Sequence, residues 1–200
     1  MTILLPLILG YLLGSVPFGL VITKAAGLGD IREIGSGNIG ATNVLRTGRK
    51  DLALATLLLD GGKGAIAVLI AYLAGWRPEV AGAAAFLGHC FPVWLGFKGG
   101  KGVATFLGTL FALHWPAALF AGATWLAVAK FGRFSSLAAL TAAAATPLVF
   151  FAMGKITFAG AGAFMAAMIF IRHRENIARL LAGAEPKIGA AKSDATHAGA

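Results

Sequence analysis

Ser36, Asn38, Thr42 and Asn43 stand among Gly35, Gly37 and Gly40 in the segment IGSGNIGATNVLRTGRK, with Arg46 and Arg49 just after them. Glycine lets backbone N–H groups converge on an anion, hydroxyls and carboxamides add donors, and arginine offers a two-pronged fork for phosphate. A second cluster, FKGGKGVAT, sets Lys98, Gly99, Gly100, Lys101 and Gly102 ahead of a helical run that holds Thr105. It has the glycine and lysine content of a phosphate loop. Gly102, however, stands where the Walker pattern needs a Ser or Thr for magnesium, and no strand precedes it, so a nucleotide triphosphatase is not expected. Anion binding by glycine amides and lysine at the start of a helix remains. In a third cluster, RHRENIARLLAGAE, His173, Asn176 and Leu180 fall at i, i+3, i+7 and put an imidazole and a carboxamide on one helix face, with Glu185 beyond.

Plainer readings compete with each cluster. A turn capped by Thr42 or Asn43 accounts for part of the first, topology lysines for part of the second, and a basic helix on lipid headgroups for part of the third. The density of donors in the first and the glycines around the lysines in the second exceed those needs. Elsewhere, Asp60 and Lys63 sit at i, i+3 and read as a structural ion pair within a helix. His89 and His114 stand alone on apolar segments, so no metal site is expected, and no nucleophile elbow points to a serine hydrolase.

The elements that must position these clusters are membrane helices. Of 200 residues, 58% are hydrophobic and 12% charged, against about 25% charged in an ordinary soluble domain. A soluble enzyme and a disordered chain are both excluded. The formal charge of +9 therefore speaks of topology, anionic lipid or phosphate rather than nucleic acid. The single cysteine, Cys90, can form no intrachain disulfide, and the N-terminal MTILLPLILG lacks the basic leader of a cleaved signal.

Apolar spans are expected at 3–23, 52–75, 79–97, 134–152 and 156–171. The interval 102–129 divides at His114-Trp115-Pro116, because proline favours a first helical turn and disfavours helix in the residue before it. Seven helices result: an all-α, polytopic integral membrane protein with its N-terminus outside and its C-terminus cytoplasmic. That parity puts Lys24, Arg32, Arg46, Arg49, Lys50, Lys98, Lys101, Lys130, Arg133, Arg172, Arg174, Arg179, Lys187 and Lys192 on the inner side, as the positive-inside rule asks. The helix at 103–113, about 16 Å long, is too short to cross alone and is expected to be held among the others. Residues 1–187 read as a single transmembrane domain and 188–200 as a disordered tail.

On this topology all three clusters share one face. They can build a basic, donor-rich pocket for a ligand that keeps a phosphate in water and an acyl chain between helices. A transporter of anionic metabolites would share the pocket but should show inverted repeats, and none is found. A noncatalytic lipid-binding scaffold explains the basic face but not GGKG and SGN together.

The segments SGNIGATN followed by Arg46, FPVWLGFKGGKGVAT, and RHRENIARLLAGAE closely resemble, in order over residues 3–188, the three signature motifs of the bacterial acyl-phosphate-dependent glycerol-3-phosphate acyltransferase family. The resemblance implies transfer of a fatty acyl group from acyl phosphate to the 1-hydroxyl of sn-glycerol 3-phosphate, giving lysophosphatidic acid and phosphate. This is the first acylation of phospholipid synthesis, at the cytoplasmic face of the inner membrane. It also implies catalytic roles for Ser36, Arg46, Lys101, His173, Asn176 and Glu185, and substrate binding by Asn38, Thr42, Asn43, Lys98, Gly99, Gly100, Gly102 and Thr105. No cofactor, metal or nucleic acid is implied; the partners are the two substrates, the bilayer and, by a functional link, an enzyme that forms acyl phosphate.

Overall fold

A computed structural model of the chain describes residues 3–189. Its helices are α1 (Leu4–Gly14), α2 (Phe18–Ala25), α3 (Ala41–Val44), α4 (Lys50–Leu73), α5 (Pro78–Cys90), α6 (Val103–Leu113), α7 (Trp115–Gly132), α8 (Ser135–Ala152), α9 (Ile156–Arg172) and α10 (Arg174–Leu181). Single 3-10 turns lie at Ile31–Glu33, Leu45–Thr47 and Val93–Leu95, and no strand occurs among the described residues.

The seven expected spans all appear as helix, but the count differs. Apart from the single turn α3, nine helices are present among the described residues. One addition comes from the first span, which breaks into α1 and α2 at Ser15-Val16-Pro17, where proline has no N–H to continue the helical ladder. The break exposes carbonyls that distant side chains use: Trp94 Nε1 donates to Ser15 O at 3.0 Å and Lys63 Nζ to Val16 O at 2.8 Å. The other addition is α10, which turns 62° from α9 at His173. The expected third span also ends early, at Cys90, because Pro92 opens a turn instead.

Three stretches among the described residues are long and apolar enough to cross a membrane: Leu4–Ala25, Lys50–Leu73 and Ser135–Ala152. Outward faces carry large apolar side chains such as Leu58, Leu73, Leu148 and Phe151, which suit lipid rather than water. Contacts between helices use small residues. Gly10 lies on Ala81 and Gly14 on Ala85, so α1 and α5 run parallel with their backbones close. In the same way Gly61 meets Gly108, and Tyr72 Oη donates to Leu113 O at 3.3 Å, so α4 and the short α6 run parallel. As expected for its length, α6 is held inside, with Phe106, Thr109 and Leu110 buried.

These directions settle where the clusters lie. The N-termini of α4, α6 and α8 and the C-termini of α2, α5, α7 and α9 gather at one end of the bundle. Leu95 packs on the Ile31–Ile39–Val44 core, and Ser136 meets Glu185. All three polar clusters are on that end. Ile188 is tied down as well, its N–H donating to Arg133 O at 2.7 Å; the rest of the expected disordered tail, 190–200, lies outside the described residues.

Candidate active site

The first cluster is organised around Asn43, whose side chain is buried. Its Nδ2 donates to Ile31 O and Ile34 O, both at 2.9 Å, which closes the loop. Its Oδ1 accepts from Ser36 N at 3.0 Å, Ser36 Oγ at 3.3 Å and Arg46 Nη1 at 3.4 Å. One carboxamide thus aims the two expected catalytic residues, Ser36 and Arg46, side by side at the surface. Gly35 has φ +60, and a Cβ there would strike Asn43 Oδ1 and Arg46 Cδ, so only glycine permits this approach. Asn43 itself has no capacity left for a ligand. Asn38 is half-buried and Thr42 exposed, and neither side chain has a hydrogen-bond partner among the described residues.

The second and third clusters are joined. Lys101 Nζ donates to Asn176 Oδ1, and Asn176 Nδ2 donates to Glu185 Oε1 at 2.6 Å. Ser136 Oγ also donates to Glu185 Oε1, at 2.6 Å, and Arg179 Nε to Oε2 at 2.8 Å. Arg172 clamps the loop between α5 and α6 through Nη2 to Gly99 O at 2.7 Å and Nε to Gly100 O at 3.1 Å, while its guanidinium stacks over Phe91. Lys101 lies near Arg179 and Arg172 on one side of the balance and near the carboxylates of Glu185 and Glu175 on the other, so this corner keeps an excess of positive charge for an anion.

Besides Asn43, expected to bind substrate but spent on its own loop, three expected binding residues act differently. The N–H groups of Gly99 and Gly100 are given to Cys90 O and His89 O, each at 3.1 Å, and so do not converge on a ligand. Their value lies in having no Cβ, since one on Gly100 would enter the His89 imidazole. Thr105 is fully buried, its Oγ1 donating to Asp60 O at 2.8 Å, and it faces α4 rather than any pocket. Gly102, at φ +83 against the Phe86 ring, turns the chain into α6, and Lys98 is exposed beside it. The free N–H groups of the first turn of α6 then stand next to Lys101.

Ionisation follows from these surroundings. Burial disfavours charge on Lys101, and the nearby Arg179 and Arg172 add to it, so its pKa lies below the ordinary lysine value. For Glu185 burial works against ionisation, but the hydrogen bonds from Ser136, Asn176 and Arg179 outweigh it and hold the carboxyl below its usual range. Burial pushes His173 down to about 4, against the bond to Ile169 that favours its charged form and with a further push from Lys101. Its Nδ1 lies 2.8 Å from Ile169 O. A carbonyl only accepts, so Nδ1 carries the proton, and Nε2 of the neutral ring is left with its lone pair.

The sequence did not point to Ser136, Arg172 or His89. Ser136 reads as an ordinary helix start and Arg172 as one more interfacial cation; their partners are far along the chain. His89, taken as solitary, meets Lys63 Nζ through Nδ1 at 2.9 Å.

A multi-pass helical bundle with a basic corner at one end defines a membrane protein suited to hold a phosphate-bearing ligand there. The chain matches the family profile described as "Glycerol-3-phosphate acyltransferase" over residues 4–183. It is 64% identical over 188 residues to a glycerol-3-phosphate acyltransferase of Caulobacter vibrioides (strain NA1000 / CB15N), covering 92% of this chain and 86% of that one. It is 60% identical over 191 residues to that of Mesorhizobium japonicum, covering 94% and 97%. Two crystal structures of PlsY, an integral membrane glycerol 3-phosphate acyltransferase, are similar in fold. The glycerol 3-phosphate form superposes with a TM-score of 0.89 at 43% identity, covering 94% of this chain and 96% of that one. The lysophosphatidic acid form gives 0.87 at 42% with the same coverage. The chain belongs to the glycerol-3-phosphate acyltransferase family, as its three motifs indicated, and is a multi-pass membrane protein.

Proposed function

We propose that this acyltransferase uses acyl phosphate as donor and forms lysophosphatidic acid and inorganic phosphate, with its site on the cytoplasmic face of a bacterial inner membrane. The observation that carries the reading is the Lys101–Asn176–Glu185 chain, which joins the GGKG loop to the third motif beside the arginines at 172 and 179. The glycerol 3-phosphate form of the similar crystal structure adds support, as does the concentration of basic residues at this end of the bundle.

An acyl phosphate is a mixed anhydride, so its leaving group is already good and no covalent enzyme intermediate is needed. The 1-hydroxyl oxygen forms a bond to the acyl carbon, the bond from that carbon to the phosphate oxygen breaks, and the hydroxyl proton ends on the departing phosphate. Lys101, with two of its three protons free of partners among the described residues, and Arg46 neutralise phosphate charge. Ser36 and the first turn of α6 bind the other phosphate, assisted by Lys98, Asn38 and Thr42, while Asn43 and Glu185 orient their neighbours. His173, neutral above about 4, is a weak base; a phosphate monoester, with a second pKa of about 6, is the better proton acceptor. The His173 Nε2 lone pair orients the hydroxyl. An apolar groove lined by Leu13, Val16, Phe18, Leu59, Gly62, Lys63 and Ile66 gives the acyl chain a place beside the α1–α2 break.

Purified protein in detergent, given palmitoyl phosphate and glycerol 3-phosphate, is expected to release phosphate and form lysophosphatidic acid in equal amounts, read by mass spectrometry. Product no greater than in a protein-free control overturns the reading. Loss of product on replacing palmitoyl phosphate by palmitoyl coenzyme A is the expected donor specificity.

A further inference from the structure

Apart from the stem of Lys63 in the lining of the acyl groove, the reaction proposed above makes no use of the charged group at the centre of the bundle. Asp60 and Lys63 on α4 and His89 on α5 are all buried. Lys63 Nζ gives its three protons to three acceptors on different elements: Asp60 Oδ1 at 2.7 Å, Val16 O at the α1–α2 break at 2.8 Å, and His89 Nδ1 at 2.9 Å. An ammonium has no acceptor capacity, so His89 Nδ1 carries the lone pair and Nε2 the proton. The far side of that ring lies against Gly100, so closely that a Cβ would enter it. The main chain of His89 accepts from Gly100 N, and Asp60 O accepts from Thr105 Oγ1, so the same group reaches the loop on both sides of Lys101. An ordinary structural ion pair needs neither the third acceptor nor the glycine beneath the ring.

We propose that Asp60, Lys63 and His89 are positioning residues for the 99–102 loop, fixing through the His89 ring and Thr105 the place from which Lys101 meets the substrate phosphate. A buried, fully satisfied polar group rigidifies what it touches, and an error of about 1 Å in a catalytic group can cost about 100-fold in rate.

His89→Asn tests this, because Asn Oδ1 takes the place of Nδ1 as acceptor for Lys63 while the ring beneath Gly100 is removed. The double variant Asp60→Asn/Lys63→Met removes both charges together and leaves neither one stranded. Two readouts are taken on folded protein in detergent. Hydrogen exchange is expected to rise about tenfold at the amides of Gly99 and Gly100 in both variants, with thermal stability of His89→Asn close to wild type. In steady-state kinetics with palmitoyl phosphate and glycerol 3-phosphate, kcat/KM is expected to fall about 10- to 100-fold. Exchange at 99–100 and turnover per folded molecule equal to wild type in His89→Asn would overturn the proposal, as would lower stability with loop and turnover unchanged. The inference rests on the proposed reaction only for its kinetic arm. A wild type without acyl transfer defeats that reaction, while the exchange arm still decides whether the network holds the loop.

Discussion

Asn43 and Asn176 are both buried carboxamides at the same end of the bundle, but their partners differ. Among the described residues Asn43 bonds only within its own loop, to Ile31, Ile34, Ser36 and Arg46. Asn176 bonds to Lys101, which lies 75 residues earlier, and to Glu185 in the chain after α10. The first half of the site is therefore folded by local contacts and packed against the rest through Leu95. The other half exists only when the α5–α6 loop, α8, α9 and α10 are in register, because they supply Lys101, Ser136, Arg172 and Asn176, which no neighbour in sequence can replace. A site built this way separates two demands: a rigid local cradle for one phosphate, and a long-range assembly that ties the second phosphate site to the packing of the helices.

The comparison is broken most severely at Lys101. Lys101→Met removes the one ammonium that bridges the second and third motifs and is expected to lower kcat/KM about 1,000-fold, as for loss of a transition-state donor. Thermal unfolding of the variant should stay near wild type; a collapse in stability would make the lysine structural.

The next largest effect concerns His173. The folded protein keeps its imidazole neutral down to about 4, whereas the unfolded chain protonates near about 6.5. Between those values the unfolded state binds the extra proton, so stability rises with pH; the contribution is complete above about 6.5 and is lost as pH falls toward 4. The loss amounts to about 3 kcal/mol at most. Melting curves in detergent from pH 7 to pH 4 should show this slope, reduced in His173→Asn. An unchanged slope would mean that His173 is not held neutral. For the same reason wild-type kcat should show no limb near 6.5 that disappears with His173.

Asn43→Ala sharpens the contrast from the local side. It strips partners from Ile31 O, Ile34 O and Ser36 N, which should cost about 2 kcal/mol of stability, and it frees Ser36 and Arg46 from their common acceptor, which should lower kcat/KM per folded molecule as well. A variant of full stability with altered KM would instead place Asn43 in contact with substrate.

What was legible in the sequence follows the same division. Ser36, Asn43 and Arg46 lie within 11 residues of one another, and glycine spacing alone shows that they can converge. Charge parity put the three motifs at one end, and the helix directions agree. The link from Lys101 to Asn176 has no local signature, and neither does the one from Ser136 to Glu185. Thr105 misled because its hydroxyl follows the motif in sequence but turns toward Asp60 in space. Asp60 and Lys63 announced each other at i, i+3; His89, on another helix, could not. The break at Pro17 was masked by a run of apolar residues that satisfies a span by length, although proline cannot continue its hydrogen bonds.

The central claim is that the second and third motifs form one catalytic unit. A double-mutant cycle in kcat/KM between Lys101→Ala and Asn176→Ala tests it most directly. If the two side chains act as a unit, the double variant should be no more than about threefold worse than the poorer single variant, since residues in one network are strongly non-additive. Losses that multiply independently would contradict the account.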